Sequence, residues 1–115
     1  MPRPQKPRLI CQLPDHKNYG PYNHSGLEIK TIVLLLDELE TIRLIDFEGC
    51  NQEEAANQMN VARTTIQRIY GEARKKIADS LINGKQIIIE GGEYILCNKN
   101  CEKCSKSKRF RKIND

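Results

Sequence analysis

The chain has 115 residues and a formal net charge of +4, with five cysteines and no tryptophan. That length holds one small domain with a modest core, and it excludes an enzyme barrel or a doubly wound sheet. The longest apolar run, Ile32 to Leu36, is far too short to span a membrane, and the opening Met-Pro-Arg-Pro-Gln-Lys-Pro-Arg lacks the apolar core of a secretory signal. The expected location is therefore cytoplasmic, where cysteines serve metal or redox chemistry more often than disulfide frameworks.

The charge is unevenly spread. Residues 1–8 carry three basic groups and no acidic one, residues 99–115 carry seven and two, and the middle carries nine and thirteen. Basic ends on a mildly acidic body give a first indication of a nucleic-acid partner, although basic tails alone are usually just solvated ends.

In chain order, residues 1–7 read as a flexible, Pro-rich basic arm. Arg8 to Leu13 is a short candidate strand stopped by Pro14. Asp15 to Gly26 is polar and turn-rich and reads as a loop, with Tyr19 and Tyr22 expected to cover the core. Thr31 to Leu36 leans extended because of its β-branched residues. Asp37 with Glu40 predicts a capped helix start. Leu39, Ile42, Leu44, Ile45 and Phe47 give that helix a broad apolar face, and Gly49 ends it. Cys50 follows as a core position.

Asn51 with Glu54 is a second capping signature and opens a helix near Gln52. Ala55 and Ala56 supply the small residues that two closely crossing helices need where they touch. Met59 and Val61 flank a turn as core residues, and Asn60 stands where a left-handed backbone is required. A second helix begins near Arg63, after Ala62, a poor capping residue. Ile66, Ile69, Tyr70, Ala73, Ile77 and Leu81 keep a three-to-four spacing, and Asn83-Gly84 is a stop signal. Lys85–Glu90 and Glu93–Cys97 alternate as strands, with Gly91-Gly92 read as a two-residue hairpin turn. Residues 8–97 thus form the domain, and 98–115 a Cys-containing basic tail.

Gln52 to Tyr70 has the residue pattern of a helix-turn-helix that lays its second helix in a DNA groove. With Ile66 and Ile69 facing inward, Arg63, Thr64, Gln67, Arg68 and Gly71 face outward. Arg can hydrogen-bond a guanine edge and Gln an adenine edge, so Arg63, Thr64, Gln67 and Arg68 are the candidate base contacts. Thr65 is placed to donate to a phosphate near the helix N-terminus. Lys75 and Lys76, further along, are candidate backbone contacts. Gly71 either allows close approach to DNA or is simply tolerated.

The stretch Leu36-Asp-Glu-Leu-Glu-Thr-Ile-Arg-Leu-Ile-Asp-Phe-Glu-Gly-Cys-Asn-Gln-Glu-Glu-Ala-Ala resembles region four of bacterial sigma factors. The N-terminal octapeptide, Asn57-Gln-Met-Asn-Val-Ala-Arg-Thr-Thr, Ala73-Arg-Lys-Lys-Ile-Ala-Asp, Asn83-Gly-Lys and Ile89-Glu-Gly-Gly together resemble the domain-of-unknown-function 134 family over about residues 1–97. That family is described as DNA-binding by prediction and has no established biological role. The resemblance implies a sigma-region-four-like fold, hence mainly α, and transcriptional regulation. Separately, the Arg8–Leu13 strand is too short to stand alone and an isolated hairpin at residues 85–97 is marginal, so the N- and C-terminal strands are expected to pair into a small β-hairpin or sheet.

Cys97, Cys101 and Cys104 carry thiols at x3 and x2 spacing. Radical enzymes with a three-Cys cluster share this spacing but need a barrel that this chain cannot supply. A zinc or iron–sulfur knuckle suits the soft thiolates better. Its candidate fourth ligand is Cys11, if the Arg8–Leu13 strand pairs with Glu93–Cys97; His16 and His24 are weaker options, and ordinary free thiols are the alternative. The acidic pairs at helix starts are explained by capping and the helix dipole, so no catalytic role is expected and the chain is not read as an enzyme. The leading expectation is a sequence-specific DNA-binding regulator, with output set by a metal or redox state. The expected partner is double-stranded DNA, with a second copy of the chain as a further candidate although no dimerisation helix is evident. The rivals are a metal-handling or iron–sulfur accessory protein that uses the helix-turn-helix for protein contact, and an RNA or chromatin binder acting through its tails.

Overall fold

The computed structural model describes residues 7–22 and 28–96. Nine elements follow in order: β1 (Arg8–Ile10), β2 (Asn18–Tyr19), β3 (Thr31–Leu34), α1 (Leu36–Thr41) with a π-helical continuation (Ile42–Phe47), α2 (Gln52–Met59), α3 (Arg63–Asn83), β4 (Gln86–Ile89) and β5 (Tyr94–Leu96). The fold is mainly α with two small sheets. Ile10, Leu34, Leu36, Leu44, Ala55, Met59, Ile66, Ala73 and Ile89 form one core, so strands and helices share it.

The terminal strands pair as their shortness requires. β1 lies parallel to β5, with Arg8 opposite Tyr94, Leu9 opposite Ile95 and Ile10 opposite Leu96. The hairpin expected around Gly91-Gly92 does not form. Both edges of β4 are already occupied, by β3 in parallel and by β2 antiparallel. β5 must therefore leave that sheet. The glycines make the link with φ of 79° and 99°, and a Cβ on Gly92 would stand 2.9 Å from Asp37 Oδ1. The expected loop likewise contains a strand, β2. It is recruited by backbone hydrogen bonds along β4, among them Ile89 N–H to Lys17 O at 2.8 Å, and these leave little trace in side-chain pattern. Tyr19 and Tyr22 are 53% and 100% exposed and do not cover the core.

The cap of α1 lies two residues earlier than its sequence suggests, at Leu35 rather than Asp37. Glu38, not Glu40, reaches back to accept the Leu35 N–H at 2.9 Å, and Asp37 Oδ1 accepts the Glu38 N–H. Glu40 is freed for a buried network in which it accepts two bonds from Arg43, at 2.9 and 2.8 Å, and the Cys11 N–H at 3.1 Å. Arg43 also donates to Glu48 at 3.3 Å. Burial alone would lower the pKa of Arg43, but hydrogen bonds and charge from Glu40 outweigh it and hold the guanidinium above its ordinary value.

The π-helical turn, marked by Glu48 N–H to Arg43 O at 2.8 Å, contains one more residue than an α turn. It keeps Leu44 buried but rotates Phe47 off the expected apolar face, leaving it 52% exposed. Arg8, the first residue of the candidate strand, is only 4% exposed, with its Nε 3.7 Å from Asp37 Oδ2. Burial raises the Asp37 pKa, and the Arg8 charge opposes that rise.

A candidate nucleic-acid interface

α2 and α3 follow their local chemistry closely. Asn51 Oδ1 accepts the Glu54 N–H at 2.8 Å while Glu54 Oε1 accepts the Asn51 N–H at 2.9 Å, a reciprocal capping box. α2 ends at Asn60, which has φ 59° and ψ 47°. Val61 N–H reaches Ala56 O at 3.0 Å and Asn60 N–H reaches Asn57 O at 3.3 Å; this pair of bonds satisfies the last carbonyls and turns the chain within three residues. Ala56 is 5% exposed and Ala55 fully buried, so small side chains occupy the inner face of α2. Cys50 is partly buried against the same core.

α3 takes its N-cap from Ala62 without a side-chain hydrogen bond. Its inner row of Ile66, Ile69 and Ala73 is 0–2% exposed. Arg63, Thr64, Gln67, Arg68, Gly71, Arg74 and Lys75 are exposed on the outer side, and Thr65 is half-buried. From Arg63 to Lys75 the helix therefore presents a polar and basic surface, while Leu81 and Ile82 stand exposed near its C-terminal end. The far end is fastened by a cluster beyond Asn83: Lys85 Nζ lies 2.9 Å from Asp79 Oδ2 and Asn83 Nδ2 donates to Asp79 Oδ1 at 2.6 Å. These contacts hold the Asp79 pKa below its usual value.

Two basic residues of α3 differ from expectation. Lys76, grouped in sequence with Lys75 as a backbone contact, turns inward. Its Nζ donates to Val33 O at 2.9 Å and to Glu38 Oε1 at 2.7 Å. Arg74, a basic residue of this helix that is not among the candidate contacts read from sequence, lies beside Tyr70 and Asp46. The Tyr70 hydroxyl donates to Asp46 Oδ1 at 2.7 Å, and that bond raises the phenol's pKa. The i, i+4 spacing of Tyr70 and Arg74 on a helix was the available signal, but the position of Asp46 depends on the π-helical turn.

Of the expected thiol ligands, Cys11 is partly buried on the segment after β1, while Cys97, Cys101 and Cys104 lie outside the described residues, as does His24. His16 is exposed. Among the described residues no group of three or more His, Cys, Asp or Glu side chains is arranged to hold a metal ion. The Ile10–Leu96 pair closes the described register, and Cys11 and Cys97 are the next residues in the sequence on each side. Residues 1–6 of the expected arm (1–7) and the tail (98–115) also lie outside the described residues. No helix among the described residues is long and apolar enough to cross a membrane.

This is a small, mainly α domain whose longest helix, α3, carries an exposed row of polar and basic side chains. The sequence pattern of the family described as "Protein of unknown function DUF134" matches residues 1–97, and the chain belongs to that family. It is 56% identical to a UPF0251 protein of Desulfitobacterium hafniense strain Y51 over 98 residues, which is 85% of this chain and 78% of that one. A UPF0251 protein of Caldicellulosiruptor bescii is 47% identical over 108 residues, 92% of this chain and 75% of its own. One of Methanococcus maripaludis strain C6 is 42% identical over 110 residues, covering 95% and 85%. No solved structure matches the chain significantly.

Proposed function

We propose that this protein binds double-stranded DNA sequence-specifically, in the cytoplasm, as a transcriptional regulator. The observation that carries the reading is the two-sidedness of α3. A row of buried residues (Ile66, Ile69 and Ala73) seats it on α2 and the core, and the opposite face carries Arg63, Thr64, Gln67 and Arg68 in the open. Arg63 and Arg68 are suited to guanine edges and Gln67 to adenine, with Thr64 able to contact either. Thr65 and Lys75 contact phosphates, which fixes register without reading sequence. Lys76 is left out of the interface because its ammonium is engaged with Glu38 and Val33.

The thiols enter as a second, separable part of the reading. Cys97, Cys101 and Cys104, with Cys11 as fourth ligand, form the set that would hold zinc or an iron–sulfur cluster and tie DNA binding to metal or redox state. It is supported by the β1–β5 pairing, which stops one residue short of both Cys11 and Cys97. Selecting bound sequences from random duplexes, with and without reductant and chelator, tests both parts. A recurring motif supports sequence reading, and its loss with chelator or oxidant supports the thiol switch. Recovery of unenriched sequence contradicts the first part.

A further inference from the structure

Arg74 stands about three turns beyond Arg63 on α3, so the two side chains leave the same edge of the helix with Gln67 between them. It is the member of that edge with a built-in brace. Its Nε lies 4.0 Å from Asp46 Oδ2, its guanidinium carbon 5.4 Å from the centroid of the Tyr70 ring, and Tyr70 in turn holds the other oxygen of Asp46 at 2.7 Å. Asp46 is delivered from outside α3, by the π-helical segment Ile42–Phe47. Single π turns are rare and are found frequently at functional sites.

This brace does little for folding. Arg74 is 64% exposed and Asp46 40%, and ion pairs between such exposed groups contribute little to stability. A carboxylate beside the basic edge also repels phosphate, so its presence weakens any general attraction for DNA. What it does provide is order. A guanidinium has five N–H donors, and contacts to one carboxylate oxygen and one ring face leave donors for a third partner. The long Arg side chain is held in one region before that partner arrives, so less freedom is lost on contact.

We infer that Arg74 is a phosphate-contacting residue of the DNA interface, and that Asp46, with Tyr70, is its positioning residue. The interface then runs along three turns of α3 rather than the first two. This inference rests on the DNA-binding reading above.

The test uses the full chain and the selected duplex. Arg74→Ala lowers the slope of log affinity against log salt by about 0.9, the value of one phosphate contact, and leaves the order of preferred sequences unchanged. Asp46→Asn keeps an oxygen for Tyr70 but removes the charge. If net charge alone mattered, this variant would bind more tightly; positioning predicts roughly two- to tenfold weaker binding, the equilibrium equivalent of ordering one long side chain. In the Arg74→Ala background, Asp46→Asn costs nothing further. Asp46→Asn binding as tightly as the native chain, an equal loss in both backgrounds, or an unchanged salt slope in Arg74→Ala each overturns the inference. An Arg63→Ala, Arg68→Ala variant separates this failure from that of the underlying reading. Native-like binding by that variant sinks DNA recognition by α3 altogether, whereas its loss alongside a full slope in Arg74→Ala sinks only the role of Arg74.

Discussion

The Lys76 ammonium lies 2.7 Å from Glu38 Oε1, and the same oxygen accepts the Leu35 N–H. One carboxylate thus joins the C-terminal half of α3 to the start of α1, while the Lys76 bond to Val33 O adds β3 to the joint. Lys76 and Lys75 are neighbours in sequence but have different tasks, because successive residues on a helix point about 100° apart.

Replacing Lys76 with Ala should destabilise the fold by about 1–3 kcal/mol, since Glu38 loses its charged donor at a buried site. The salt dependence of DNA binding should not change. Lys75→Ala should do the reverse, moving stability by under about 0.5 kcal/mol and reducing the salt slope by about 0.9. Urea titrations and binding at several salt concentrations on both variants check this. Equal salt slopes in Lys75→Ala and Lys76→Ala would show that the inward and outward assignments are wrong.

Arg43 carries the larger structural load. Its guanidinium sits between Glu40 and Glu48, with all three side chains 4–9% exposed. Arg43→Ala leaves two buried carboxylates without their cation and should cost about 3–5 kcal/mol. A midpoint in urea close to that of the native chain would contradict the central role given to this network.

The parts of the fold that sequence predicted are those written within a few residues. Asn51 and Glu54 cap each other, Asn60 takes the left-handed turn, Ala62 gives no side-chain cap and Gly84 stops α3 with φ 65°. Each rests on a bond or backbone angle inside one short segment. The Arg8-to-Leu96 sheet was also foreseeable, because neither strand is long enough to stand alone. What escaped were decisions made at a distance. The Gly91-Gly92 hairpin failed because β3 and β2 hold both edges of β4. Arg8 counts in sequence as one of three basic groups at the N-terminal end, and its burial depends on Asp37 and the β5 pairing. Lys76 was grouped with Lys75 because its acceptors, Val33 and Glu38, are some forty positions away. In the candidate interface, Arg63, Thr64, Gln67 and Arg68 followed from helical spacing alone, whereas Arg74 needed the π-helical turn to give it a partner.

Gly71 offers a measurement that separates stability from binding. It lies in the middle of α3, and an added Cβ would meet nothing within 4 Å among the described residues, so no contact with them requires a glycine. Gly71→Ala should gain about 1 kcal/mol of helix stability, seen as a thermal midpoint several degrees higher. An unchanged or lower midpoint would mean that the open helix face seen here is covered in solution.

The most direct test of DNA recognition by α3 is the affinity of an Arg63→Ala, Arg68→Ala variant for the duplex selected by the native chain. Each lost base contact should cost about 1–3 kcal/mol, with discrimination between selected and scrambled duplexes falling accordingly and the thermal midpoint preserved. A folded variant that binds the selected duplex as tightly as the native chain, and with the same discrimination, would contradict the account.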